Sequence, residues 1–62
     1  MSTTIDKEFL QQLDKRIKTI KTAALELQEH SNGIEAVHRN ADRILASVKM
    51  LEMNVSDVLD IF

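Results

Sequence analysis

The chain is poor in the residues that mark many other classes of protein. It contains no cysteine, proline, tryptophan or tyrosine, and only one glycine among its 62 residues. Without cysteine there is neither a disulfide framework nor a thiolate metal site. Without proline the commonest helix breaker is missing, which favours long uninterrupted helices. Two phenylalanines provide too few aromatic rings for stacking on nucleic-acid bases.

Long hydrophobic runs are also missing. No apolar stretch approaches the length of a bilayer span, and the first residues lack the basic and apolar segments of a secretory signal. We therefore expect no membrane contact and a cytoplasmic protein, with a nuclear location as the alternative. The 62 residues predict a single domain over 1–62, too small for a catalytic cleft of ordinary size.

Apolar residues instead recur at spacings of three and four, which is typical of amphipathic helices. The spacing predicts one helix from about residue 4 to about 30 and another from about 34 to 61. Ser2, Thr3 and Thr4 are candidate N-caps for the first helix. Ion pairs four residues apart are expected within the helices, Asp14 with Lys18 and Glu35 with Arg39.

The hydrophobic register changes at Ser31, Asn32 and Gly33, which predicts a turn there. Asn-Gly is a strong breaker pair, and Gly33 can adopt the left-handed conformation that ends a helix. Asn32 is expected to cap the second helix, with Glu35 as its reciprocal partner. The alternative is one uninterrupted rod, in which the three residues overwind a coiled coil locally. We favour the hairpin, because the rod places three polar residues at core positions: Ser31, His38 and Glu52.

The apolar stripe of each helix covers an arc of about 140°, which is too broad to be covered by one neighbouring helix. The expected fold is therefore all-α, an antiparallel helical hairpin of two long helices that associates into a helical bundle or coiled coil. Leu25 lies on the opposite face as an isolated exposed leucine. The expected interface consists of Leu13, Ile17, Ile20, Leu27, Ile34, Val37, Ile44, Val48, Leu51, Val55 and Val58.

Residues with catalytic or ligand chemistry are sparse. His30 and His38 stand eight residues apart with no acidic ligand at metal spacing, and His38 is expected to be a partly buried structural residue. No phosphate-binding loop or nucleophilic triad is present. The sequence therefore predicts no catalytic residues, no metal, no cofactor and no enzymatic activity.

The remaining expectation is a protein–protein interaction or oligomerisation module, a small helical subunit or scaffold of a larger assembly. Its partner is expected to be a second copy or a subunit of a hetero-oligomeric coiled-coil assembly. In build, the chain resembles short helical hairpins that dimerise into four-helix bundles, a resemblance that implies no residue roles. The alternative is a small nucleic-acid-associated regulator using a basic belt: Lys15, Arg16, Lys18, Lys21, Arg43 and Lys49. The net charge of −2 argues against that alternative.

Overall fold

Two helices packed against each other form the whole of the computed structural model, which describes residues 6–61. Helix α1 spans Lys7–Glu29 and helix α2 spans Glu35–Leu51. A π-helical segment, Glu52–Ser56, and the short helix α3, Asp57–Leu59, continue α2. The all-helical prediction with two packed helices is confirmed. The chain reverses between α1 and α2, so the uninterrupted rod is not the observed structure.

Helix α1 begins with an acidic cap. The Asp6 side chain accepts a hydrogen bond from the backbone N–H of Phe9 at 2.8 Å, which satisfies one of the free donors of the first turn. Glu8 in the same turn places a further negative charge at the positive end of the helix dipole. The expected N-caps Ser2, Thr3 and Thr4 lie outside the described residues.

The turn uses two consecutive left-handed residues, Asn32 with φ 52° and Gly33 with φ 80°. Ile34 then donates its backbone N–H to the carbonyl of Ser31 at 2.9 Å. The prediction that Asn32 caps α2 is wrong, because the N-cap is Ile34 and no side chain bonds there. Asn32 instead forms part of the chain reversal. Its left-handed backbone conformation is one that asparagine tolerates better than most residues.

A narrow seam joins the two helices. Its centre is a row of small and medium apolar residues spaced seven apart, buried on both helices: Leu10, Ile17, Ala24, Ala41 and Val48. Two alanines near the turn allow close approach of the backbones, and Val48 is 1% exposed. Because only one central row per helix is fully covered, much apolar surface lies outside the seam.

The π-helical segment alters the second half of the hairpin near its open end. Asp57 donates its backbone N–H to the carbonyl of Glu52, five residues earlier, where an α-helix would bond four residues back. The wider turn leaves Glu52, Val55, Ser56 and Leu59 all partly buried. Across residues 6–61, we find no helix that combines the length and the apolar character needed to cross a membrane.

Candidate interaction surface

Each helix carries two further rows of residues, one on either side of the seam centre. At 100° per residue, positions three and four residues after the central row lie about 60° to one side of it and about 40° to the other. One pair of rows forms what we call the polar side: Asp14, Lys21, Gln28, His38, Leu45, Glu52 and Leu59. The other pair forms what we call the apolar face: Leu13, Ile20, Leu27, Val37, Ile44, Leu51 and Val58.

The antiparallel arrangement decides which rows meet. Two antiparallel helices are related by a local two-fold axis normal to the plane that contains them, so equivalent heptad positions lie on the same side of that plane. The rows that lie three residues after the central row of each helix therefore combine into one surface, the apolar face. The rows that lie four residues after it combine into the polar side. The contacts between the helices agree with this assignment.

Three polar links between the helices lie on the polar side. The hydroxyl of Ser56 donates a hydrogen bond to the carboxylate of Asp14. The Gln28 side-chain amide donates to the carboxylate of Asp42. The Nζ atom of Lys21 lies 3.1 Å from Oε2 of Glu52. Such links fix the register of one helix against the other, because a shift of one turn would break all three.

Asp14 is the one charged residue buried in the described part of the chain. Its carboxylate lies 2.7 Å from Nζ of Lys18, as the four-residue spacing predicted. The hydrogen bonds from Lys18 and then Ser56 lower the pKa of Asp14, and the Asp14 carboxylate raises the pKa of Lys18. The second predicted pair is also confirmed, with Glu35 and Arg39 3.3 Å apart. Neither the burial of Asp14 nor its Ser56 partner follows from the four-residue spacing.

The apolar face, by contrast, is open. Ile20, Ile44, Leu51 and Val58 are exposed along it, and Leu27 is 46% exposed. Leu13 and Val37 are half-buried. Compared with protein-family models, curated proteins and solved structures, the chain has no match. The face therefore has to be interpreted from its own geometry.

The predicted interface residues fall into two groups in the structure, with Ile34 apart from both. Ile17 and Val48 are buried in the seam, and Val55 is half-buried beside them. Ile34 caps α2 and is exposed. The remaining seven predicted interface residues are the ones that make up the apolar face. The hairpin thus uses the centre of the broad hydrophobic arc internally and leaves one edge of it exposed.

The histidines form no site in the described residues. No group of three His, Asp or Glu side chains in residues 6–61 is placed to hold a metal ion. The prediction that His38 is partly buried is wrong, because its side chain is exposed with Nδ1 3.7 Å from Asp42. His38 lies outside the seam because the hairpin closes on Ala41 and Val48 instead. The groove along α1 beside Thr19 and Thr22 is open and shallow.

The residues of the basic belt are divided between the two helices. Lys21 faces Glu52 in the polar side, and Lys18 faces Asp14. Arg43 donates to the Asn40 side chain at 3.4 Å, while Arg16 donates to the backbone carbonyl of Gln12 at 3.2 Å on the other helix. Two of the six belt residues thus have carboxylate partners within the hairpin.

Proposed function

We propose that this protein is a non-enzymatic interaction module that binds helices of another chain through the apolar face. The partner is a second copy or a coiled-coil subunit of a larger assembly, and binding completes a helical bundle. The observation that carries the proposal is that exposed apolar residues recur at heptad spacing along both helices, on one side of the hairpin. Single exposed leucines are ordinary on protein surfaces, whereas two parallel rows of them mark an interaction site.

The small core of the hairpin supports the same proposal. Its fully covered side chains form one central row on each helix, which is little hydrophobic burial for a chain of this length. Each half-exposed side chain of the apolar face would contribute about 1 kcal/mol on being covered. A partner would therefore add several contributions of that size along the length of the hairpin.

Binding to a nucleic acid is the less supported function. The belt is divided between the two helices, and carboxylates neutralise part of it. No aromatic residue other than Phe9 lies among residues 6–61 to stack on bases. The apolar face offers nothing to phosphates.

Two leucines of α1 make a matched test of the proposal. Leu27 on the apolar face is 46% exposed, and Leu25 outside it is 47% exposed. Tagged protein is used to capture partners from an extract, with Leu27→Lys and Leu25→Lys as the compared variants. We expect Leu27→Lys to lose bound chains that wild type and Leu25→Lys retain, with circular dichroism confirming that both variants stay helical. Equal retention by the two variants would remove the apolar face as the binding site.

A further inference from the structure

We infer that the apolar face is covered by a second copy of this chain, related by a two-fold axis parallel to the helices. In this arrangement α1 of one copy lies over α2 of the other, and the four helices form an antiparallel bundle. The inference rests on the proposed function and specifies its partner. Three observations favour a copy of the same chain: the lack of charge on the face, the composition of its rims and the length of the face.

The apolar face carries no formal charge on any of its seven residues. In a two-fold interface the same surface of each copy forms the contact. A face with a net charge would therefore bring like charges together. An uncharged face has no such penalty and pairs with itself as readily as with any other apolar surface. The polar side lacks this property, since it carries Asp14, Lys21 and Glu52 beside the neighbouring Lys18 and Asp42.

The rims of the face indicate how the copies are oriented. The residues that border it are exposed along both halves of the hairpin. They are Arg16, Ala23 and the C-cap His30 on the α1 side, and Asn40, Ser47 and Asn54 of the π-helical segment on the α2 side. If α1 lay over α1 of the copy, two Arg16 side chains would approach each other. With α1 over α2, the Arg16 guanidinium instead meets amide and hydroxyl groups, which accept hydrogen bonds.

A second copy also matches the apolar face in length. A protein interface of standard size covers about 800 Å² on each partner. A second hairpin is as long as the first, so it spans all levels of the apolar face at once.

The first experiment is sedimentation equilibrium of the purified full chain, with no other protein present. Wild type and Leu25→Lys should be dimers of similar affinity. Leu27→Lys should raise the dissociation constant at least about hundredfold, because each dimer acquires two charges inside an apolar interface. Ile20→Lys should act in the same way if Leu27→Lys proves too poorly folded to measure.

The outcomes separate this inference from the proposed function. A wild-type chain that is monomeric and cooperatively folded from nanomolar to high micromolar concentration would overturn the second copy as partner. It would leave the proposed function intact, provided that Leu27→Lys still loses captured chains in the extract. A dimer that Leu27→Lys and Leu25→Lys weaken equally would overturn both, since the apolar face would then not be the contact surface.

Cysteine substitutions test the orientation. Gln28 of α1 contacts Asp42 of α2. Ala23 and Ser47 each lie five residues from that contact towards the open end, so they are at one level on opposite rims. With α1 over α2 of the copy, a mixture of Ala23→Cys and Ser47→Cys chains should form the mixed disulfide in excess of either self-disulfide. The natural chain has no cysteine to compete. A mixture without that excess contradicts the orientation.

Discussion

On one side of the seam the two helices exchange hydrogen bonds and an ion pair, whereas the opposite side presents rows of aliphatic side chains to solvent. The polar side lies about 40° from the buried central row and the apolar face about 60° from it in the other direction, and both belong to the same two helices. Asp14, Gln28 and Lys21 find partners on the facing helix. Ile20 and Leu51, at corresponding heights, remain exposed.

The difference separates two tasks that a broad hydrophobic arc performs together in a larger bundle. Polar links across a seam contribute little net stability but disfavour other registers, because a shifted register leaves their groups unpaired. Exposed apolar rows stabilise without selecting a register. Covering them stabilises a complex with any partner, because the hydrophobic effect is non-directional. The polar side therefore specifies the hairpin, and the apolar face is the surface left open for the proposed partner.

The largest expected effect comes from removing the turn that creates the two sides. Deleting Ser31, Asn32 and Gly33 places Ile34 four residues after Leu27 and fuses the heptads into one series. We expect a single helix about 80 Å long, at 1.5 Å per residue, instead of a hairpin whose longest extent is 46 Å. Small-angle scattering measures this length directly.

The single variant Ser31→Gly is the control for that deletion, because it keeps the turn and should keep the shorter length. Dimers of the hairpin retain the same longest extent, so association does not confuse the measurement. An unchanged maximum dimension after the deletion would show that contacts across the seam, not the turn residues, determine the reversal.

The next largest effect compares the apolar face with an exposed leucine elsewhere. Leu51→Asp should weaken association by several kcal/mol, because it buries an unpaired carboxylate in an apolar contact. Leu25→Asp should change association by less than about 0.5 kcal/mol, since that position stays in water. Urea denaturation at two protein concentrations reports both. The comparison of the two sides fails if the variants lose stability to the same extent.

A smaller effect is expected from reversing one charge of the polar side. Lys21→Glu places two carboxylates where an ion pair of 3.1 Å now lies, and should cost about 1 kcal/mol because both groups are partly solvated. The double variant Lys21→Glu with Glu52→Lys should recover most of that loss. Guanidinium chloride would screen the charges, so urea is the denaturant to use. Simple additivity of the two single changes would mean that the pair does not interact.

The smallest effect concerns the protonation of Asp14. Because its pKa is lowered in the folded chain, its contribution to stability is present above the unfolded value near 3.9 and is lost as pH falls through the folded value. The difference in melting temperature between wild type and Asp14→Asn should therefore shrink as the pH falls from about 6 towards 2. A difference that stays constant over this range would assign Asp14 a role independent of its charge.

Local signals in the sequence predicted much of this fold. The turn at Asn32 and Gly33 follows from the backbone freedom of these two residue types, and the Asp14–Lys18 pair follows from the helical repeat. The rotation of the helices about their own axes could not be obtained in this way. The apolar arc of about 140° spans more than one row, and a contact centred on either of two adjacent rows would bury side chains of similar hydrophobicity. The choice depends on long-range contacts, such as that of Ser56 with Asp14, which no local pattern encodes.

For the candidate site, the sequence predicted the residues of the apolar face but not their separation from the seam. Ile17 and Ile20 look equivalent in the hydrophobic pattern, yet the first is buried and the second is exposed. Only the polar partners on the other side distinguish them. Lys21 and Gln28 follow Asp14 at intervals of seven residues, but this polar row identifies the seam only together with its partners on the other helix.

The π-helical segment at Glu52–Ser56 changes the angular positions of the side chains that follow it at the end of the hairpin. A π turn accommodates one residue more than an α turn, and so it is the structural equivalent of a single-residue insertion absorbed within a helix. If these residues instead adopted α geometry with none of them lost, everything beyond them would rotate by about 100° relative to the upstream helix. A local change of helix type would thereby exchange the side chains of α3 that face α1 for their neighbours, with the buried rows around Ala41 and Val48 left untouched.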